Sequence, residues 1–162
     1  MINYLATQKN WQNAFSDTIT SFAELAQALD LPIDSFDSQV GQFPLKVPRR
    51  FVQKMAKGDI HDPLLKQVLP TFLETVQVTG FVTDPLDEQH ANPVKGIIHK
   101  YASRVLIPVT GACVVNCRYC FRQHFDYHEN LPTQNDWQAI SAYITAHPAV
   151  NEVILSGGDP LS

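Results

Sequence analysis

The sequence predicts an α/β fold: the opening β-α-β portion of a larger barrel or sheet of parallel strands, preceded by an α-helical N-terminal region. Two short apolar runs of strand type, at residues 104–110 and 152–156, enclose a helical pattern, and a β-α-β unit implies parallel strands. Residues 1–95 instead carry short helical patterns separated by prolines. We therefore expect a helical N-terminal region over 1–95 and the start of a barrel over 96–162.

Composition limits the function classes. Apolar residues make up 44% and charged residues 17% of the chain, which is typical of a globular protein. The net charge of −4 disfavours sequence-independent binding to nucleic acid, which needs a basic surface. No apolar run approaches the roughly 18 residues of a membrane span, and the N-terminus lacks the pattern of a secretory signal. The sequence predicts a cytoplasmic protein that binds neither nucleic acid nor membranes.

Three short helices are predicted in the N-terminal region. Ser21 can cap a helix that ends before Pro32, and a helix from residue 49 is expected to end at Gly58. A third helix is predicted over residues 63–70, directly after Asp62. Packing is the expected role of all three. An acidic turn follows and is expected to start a helix rather than to form a catalytic pair; it contains Asp84, Asp87 and Glu88.

The second region begins with a buried strand over Arg104–Thr110, although Pro108 favours an edge or a strand end. A capping box of Thr133 and Asp136 opens the helix, and one helical face is predicted to carry Trp137, Ile140 and Ile144. Two parallel strands cannot cover both of their faces, so we expect the chain to be a fragment of a longer protein. Five apolar side chains are then expected to be exposed in it: Val105, Leu106, Ile107, Val153 and Leu155.

All three cysteines of the chain fall within eight residues, in the form C-x3-C-x2-C, and they are Cys113, Cys117 and Cys120. Such crowding is typical of a metal site rather than of a disulfide framework. Three thiolates can bind three irons of a cubane cluster and leave the fourth iron open for chemistry. The alternative is a structural zinc site in which His124 supplies a fourth ligand, giving a zinc-stabilised interaction module.

The cysteine segment, with Tyr119 as the aromatic of C-x3-C-x-aromatic-C, resembles the signature of radical S-adenosylmethionine enzymes. RVLIPVTGACVVNCRYCFR, followed by SGGDPL, resembles the lysine 2,3-aminomutase family of isomerases more narrowly. The stretches VPRRFVQKMAKGDIHDPLLKQVLP, TDPLDEQH and HKY resemble the branch that makes (R)-β-lysine for translation elongation factor P. The resemblance runs from about residue 45 to the end of the chain.

The resemblance implies roles for named residues within a partial (β/α) barrel. Cys113, Cys117 and Cys120 would bind a 4Fe-4S cluster. Arg122 would bind the carboxylate of the substrate lysine, which suits the two-pronged geometry of a guanidinium. Five further residues would bind S-adenosylmethionine: Tyr119, Ser156, Gly157, Gly158 and Asp159.

The resemblance also implies partners outside this chain. Pyridoxal 5′-phosphate would be held by a lysine beyond residue 162, so the chain alone is expected to be inactive. An electron donor such as flavodoxin or ferredoxin would supply the reducing electron. The residues leave open whether the substrate is lysine for elongation factor P, free lysine of metabolism, or glutamate. They also leave the oligomeric state open.

Overall fold

The structure is a computed structural model that describes residues 16–37, 41 and 43–161. The described residues divide into two compact units. The first contains residues up to 79 together with 114–120, and the second contains 80–113 together with residues from 121 onwards. The segment with two of the three cysteines thus belongs to the first unit, although it follows a strand of the second.

The first unit is built on a two-stranded antiparallel sheet of β1 (Thr18–Ile19) and β2 (Val47–Pro48). Two α-helices, α1 (Phe22–Ala28) and α2 (Arg49–Val52), pack near it. The described residues of this unit also form three short 3-10 helices, at Ile33–Ser35, Leu65–Gln67 and Phe72–Thr75. Its core is a single apolar cluster whose most buried members include Ile19, Leu25, Leu29, Val47, Leu65 and Val68.

The three predicted N-terminal helices are present in shorter form. Helix α1 begins directly after Ser21 and ends ahead of Pro32, as predicted. Helix α2 ends at Val52, because the following turns tighten into bonds such as that from the Met55 N–H to the Val52 carbonyl. The third helix is a 3-10 helix. Gly58 has a φ of 73°, in the left-handed region, but the prediction that the helix ends there is wrong, since α2 ends six residues earlier.

Asp62 holds the third segment in place and gives the first unit a pH-dependent stability. Its buried carboxylate accepts hydrogen bonds from the backbone N–H groups of Ala56 (2.9 Å), Leu64 (2.8 Å) and Leu65 (2.9 Å). The bond from Ala56 and then that from Leu65 lower the pKa of Asp62, against the opposing effect of burial.

A lowered pKa in the folded state means that the charged carboxylate stabilises the fold above the ordinary pKa of 3.8. This contribution is lost as the pH falls through the lowered folded-state pKa. We expect Asp62→Ala to lower the urea denaturation midpoint at pH 7. The difference in midpoint between the variant and the wild type should become smaller below about pH 4. Urea unfolding across this range measures it. If the difference in midpoint between the variant and the wild type were the same at pH 7 and well below pH 4, the charge of the Asp62 carboxylate would not contribute to stability.

The second unit contains a three-stranded sheet in the order β3 (Ile98–Tyr101), β4 (Arg104–Thr110), β5 (Glu152–Gly157). Strands β3 and β4 are antiparallel, and β4 and β5 are parallel, with Arg104 opposite Glu152 and Ile107 opposite Leu155. The predicted β-α-β unit is confirmed, whereas β3 was not predicted. Pairing with β3 ends at Leu106, so the missing N–H of Pro108 interrupts no bond to that strand.

Helices α3 (Tyr127–Asn130) and α4 (Asp136–Ala146) follow β4. The side chain of Asp136 accepts two bonds of 2.7 Å from Thr133, from its N–H and its hydroxyl, so the predicted pairing is present. Ile140 is buried and Ile144 packs beside it, but Trp137 is largely exposed, which corrects the predicted apolar face. No helix within the described ranges is long and apolar enough to span a membrane.

The apolar side chains of the parallel pair divide between two environments. Val105 and Ile107 are buried against Ile140, so the expectation that they are exposed is wrong: one crossover helix suffices to cover them. Val153 and Leu155 are 45% and 56% exposed, as predicted. Strand β5 is the outer strand of the sheet within the described residues, which explains why its side chains have fewer neighbours.

Candidate functional site

The segment between β4 and the first cysteine is fixed by the segment that follows β5. The Thr110 carbonyl accepts a hydrogen bond of 2.7 Å from the Gly158 N–H, and the Ala112 carbonyl accepts one of 2.8 Å from the Asp159 N–H. The carboxyl ends of the two parallel strands are therefore joined by backbone bonds directly before Cys113. Parallel α/β folds place their functional residues at this end of their strands.

Gly157 and Gly158 make this approach possible. Gly157 has a φ of 117°, and a β-carbon there would lie 2.3 Å from the Thr110 carbonyl oxygen. A β-carbon at Gly158 would lie 2.1 Å from the Ala112 carbonyl oxygen. The group that these two glycines approach is the chain's own backbone. Their contact with S-adenosylmethionine stays a prediction.

Cys117 and Cys120 lie on one turn of the first unit, in which the Cys120 N–H donates to the Cys117 carbonyl at 3.2 Å. All three cysteines are partly exposed, and none of them forms a disulfide. A set of three thiols suits iron–sulfur ligation in kind. Nowhere in the described part of the chain do three Cys, His, Asp or Glu side chains form a group that could hold a metal ion, so the ligand roles stay predictions.

Arg118 anchors the cysteine turn to the rest of the first unit. Its Nε donates to Glu74 Oε1 at 2.8 Å, and its Nη2 pairs with the other Glu74 oxygen. Its Nη1 donates to the Phe43 carbonyl at 3.1 Å, and the Phe43 ring centroid lies 4.9 Å from the guanidinium. The Arg118 side chain is only 8% exposed. Sequence reasoning missed this residue because its partner lies 44 positions away.

Backbone bonds strengthen the same anchor. The Asn116 N–H donates to the Lys46 carbonyl at 2.9 Å, and the Arg118 N–H donates to the Gln67 carbonyl at 2.7 Å. The Asn116 side chain also donates to the Pro44 carbonyl at 3.1 Å. Tyr119, in contrast, is 73% exposed. The N-terminal segments were expected only to pack, but they also supply the surface on which the cysteine turn is fixed.

Arg122 is buried in the second unit and is held by a carboxylate. Its Nε and Nη2 donate to the two oxygens of Glu88 at 2.8 and 2.6 Å, and its Nη1 donates to the Ser156 hydroxyl at 3.3 Å. The Phe121 ring centroid lies 4.8 Å from the guanidinium. Two residues with predicted roles, Arg122 and Ser156, are thus brought together.

The acidic turn carries Glu88 to this position. Asp84 accepts hydrogen bonds from the N–H groups of Glu88 (3.1 Å) and Gln89 (3.0 Å), and the bond from Gln89 is the main cause that lowers the pKa of Asp84. The expectation that these acids start a helix is wrong, since the segment is a turn. Asp84 closes the turn, and Glu88 turns inward.

A cavity of about 270 Å³ adjoins the pair in the second unit. Its lining combines ionic and apolar side chains, which is typical of sites for small polar ligands. The lining includes Glu88, Lys100, Arg104, Leu106, Arg122 and Ile154. The cavity therefore brings an ion pair and two further cationic residues together with apolar surface.

Comparison with known proteins gives the family context. An L-lysine 2,3-aminomutase of Haemophilus influenzae is 46% identical over 157 residues, which cover 95% of this chain and 46% of that protein. The chain is homologous to L-lysine 2,3-aminomutases. The L-lysine 2,3-aminomutase of Escherichia coli is 45% identical over 96% of this chain and 46% of its own length, and that of Clostridium subterminale is 30% identical over 96% and 38%.

The chain spans about half the length of the Haemophilus influenzae and Escherichia coli proteins. No family model matches it. Because the similarity covers 95% of the chain, both units contribute to it. The sequence resemblance to this family is therefore confirmed, while the assignment to the elongation factor P branch stays a prediction.

Proposed function

We propose that this chain is part of a radical S-adenosylmethionine isomerase that converts L-lysine to β-lysine by moving the 2-amino group to carbon 3. The observation that carries the proposal is the 45–46% identity to proteins named L-lysine 2,3-aminomutase over nearly the whole chain. The parallel pair β4–β5, with cysteines following β4 and the two glycines at the end of β5, supports a partial (β/α) barrel.

The three cysteines would hold a 4Fe-4S cluster, and the residues Tyr119 and 156–159 would contact S-adenosylmethionine. When bound, these two groups supply a carbon radical that abstracts hydrogen from the substrate. The chain's own contribution is to fix the ligands: Arg118 fixes the turn of Cys117 and Cys120, and the Gly158 N–H fixes the segment before Cys113. Pyridoxal 5′-phosphate would be anchored by a lysine of the whole protein rather than by this chain.

Arg122 would bind the substrate carboxylate. A guanidinium offers several N–H groups in one plane, so it can bind the carboxylates of Glu88 and of a substrate in a fixed relative orientation. The adjoining cavity would hold a small amino acid. Orientation matters because the hydrogen on the β-carbon has to face the radical.

The finer part of the proposal concerns the fate of the product. We propose that the enzyme is cytoplasmic, takes electrons from flavodoxin or ferredoxin, and makes (R)-β-lysine for attachment to elongation factor P. The branch-specific similarity of TDPLDEQH and HKY supports this. Glutamate or free lysine of metabolism are the competing substrates.

The test is turnover by the full-length protein after anaerobic reconstitution with iron and sulfide and addition of both organic cofactors. Lysine and glutamate are supplied separately, and the products are separated on a chiral column. Formation of (R)-β-lysine supports the proposal, and its transfer to purified elongation factor P in the presence of the attaching ligase supports the finer part. Turnover of glutamate alone, or of neither substrate, would overturn the substrate assignment.

Arg122→Lys is expected to lower lysine turnover by about tenfold or more, equivalent to about 1.4 kcal/mol of transition-state stabilisation. Lysine keeps the charge but loses the two-pronged geometry. Iron content should not change, because arginine is not a ligand. Iron analysis and kcat/KM for lysine, measured on the same preparation, check this. Wild-type values for both would remove Arg122 from the site.

A further inference from the structure

The partner of Arg122 lies in a segment that sequence reasoning assigned no function. Glu88 is 4% exposed and Arg122 is 7% exposed, and their contact is two-pronged, through Nε and Nη2. Two parallel bonds to one carboxylate fix the plane of the guanidinium as well as its position. The bond from Nη1 to the Ser156 hydroxyl adds a third point, on β5.

Glu88 is itself held by the backbone. Its N–H donates to Asp84 Oδ1 at 3.1 Å, and its carbonyl accepts a bond of 3.1 Å from the Ala91 N–H. Ala91 in turn accepts a bond of 2.8 Å from the His99 N–H in β3. The carboxylate is thus connected to the sheet on both sides: through the turn to β3, and through Arg122 and Ser156 to β5.

Stability alone does not explain why the Arg122–Glu88 ion pair is buried. Removing two charges from water costs about as much as their attraction returns, and apolar residues of the same size often serve the fold equally well. A planar, fully oriented cation at the carboxyl end of a parallel strand pair is, in contrast, useful for recognising a second carboxylate. The cavity that adjoins the pair supplies the space for such a ligand.

We propose that Glu88 is a positioning residue that sets the orientation of Arg122 for the carboxylate of the amino acid substrate. The role rests on the proposed function of Arg122. Glu88 does not touch the substrate; it acts through the guanidinium. Loss of its carboxylate would remove the two bonds that fix the plane of the Arg122 guanidinium, so binding of the substrate carboxylate would weaken.

The experiment uses the full-length enzyme with its cofactors and compares Glu88→Gln, Arg122→Lys and the double variant. Glu88→Gln should raise the KM for lysine by about tenfold with a smaller change in kcat. A merely structural residue would lower the active fraction and hence the apparent kcat, but it would leave KM unchanged. In the Arg122→Lys background, Glu88→Gln should raise KM no further, because the two residues act as one unit.

Glu129→Gln is the control, since it removes an exposed carboxylate of the same unit that lies 3.0 Å from His128 and outside the lining of the cavity. Its KM should equal that of the wild type. Where Glu88→Gln does not fold, Glu88→Asp carries the test: it keeps the charge, withdraws the carboxylate by one methylene group, and should raise KM by about threefold.

Each outcome is decisive. A wild-type KM in Glu88→Gln, or the same rise in both Arg122 backgrounds, overturns the positioning role while the proposed function stands. A lower KM in Glu88→Gln also overturns it, because Glu88 would then compete with the substrate for Arg122. An inactive wild-type enzyme overturns the proposed function first, and the role of Glu88 with it.

Discussion

Replacing Cys117 by alanine is expected to abolish cluster binding and to reduce lysine turnover in the full-length enzyme by at least about a thousandfold, equivalent to about 4 kcal/mol of activation free energy. Each of the three cysteines is a proposed ligand, so the loss of one leaves the ligand set incomplete. Iron and sulfide per chain, the visible absorption after reconstitution, and turnover measure the effect. A brown, active Cys117→Ala enzyme would contradict the assignment.

His124→Ala is the control that separates the cluster from a zinc site. His124 is exposed and lies four positions after Cys120. An iron–sulfur site with three cysteine ligands should keep its iron in this variant. A zinc site of three cysteines and one histidine should lose its metal instead. A colourless wild-type protein that retains one zinc, and loses it in His124→Ala, would favour the interaction module.

Glu74→Gln is expected to destabilise the first unit by about 3 kcal/mol, because it leaves the Arg118 guanidinium buried without a compensating charge. In the wild type, Glu74 Oε1 accepts a hydrogen bond of 3.3 Å from the Thr71 N–H, and the amide oxygen of glutamine can still accept it. The loss of stability therefore measures the ion pair. Urea unfolding of the full-length protein, followed by a probe in the first unit, measures it. Iron should also leave faster under a chelator, since Arg118 fixes the turn between Cys117 and Cys120.

Glu24→Gln is the matched control, because it breaks an Arg–Glu pair of the same unit that is exposed at both ends, with Arg49 as its partner. Exposed pairs contribute about 0.2–1 kcal/mol, so the midpoint should move little. A second check is the double variant Arg118→Met with Glu74→Leu, which removes both charges and should recover much of the stability. Equal losses from Glu74→Gln and Glu24→Gln would contradict the anchoring role.

The elements that sequence reasoning predicted well are those with strong local signals. Strand β4 has the predicted bounds, Arg104–Thr110, because its apolar run is flanked by clear turn residues. The capping pattern predicted a helix that starts directly after Thr133, and α4 begins two residues later, at Asp136, with Asn135 as its N-cap. Strand β3 was missed because four residues with no alternating pattern carry too little local information. Its position is determined by pairing with β4.

The residues of the candidate site likewise divide into those with a local sequence signal and those without one. The cysteines and the glycines are close together in sequence and carry a specific pattern, so their importance could be read directly. The two buried ion pairs could not be predicted, since the partners lie 34 positions apart for Arg122 with Glu88 and 44 for Arg118 with Glu74. Nothing local in an acidic turn indicates that one of its carboxylates is buried against a distant arginine. Such pairings depend on the tertiary fold.

The glycine pair at the end of β5, Gly157 and Gly158, has a consequence for how this gene can vary. Every amino acid other than glycine carries a β-carbon, so every missense mutation in codon 157 or 158 brings that atom to within 2.3 Å of a carbonyl oxygen of the segment that leads to Cys113. Backbone, rather than a flexible side chain, stands in the way, and the chain cannot relieve the overlap by a change of rotamer. We therefore expect any missense change in these two adjacent codons to displace the backbone that leads to Cys113.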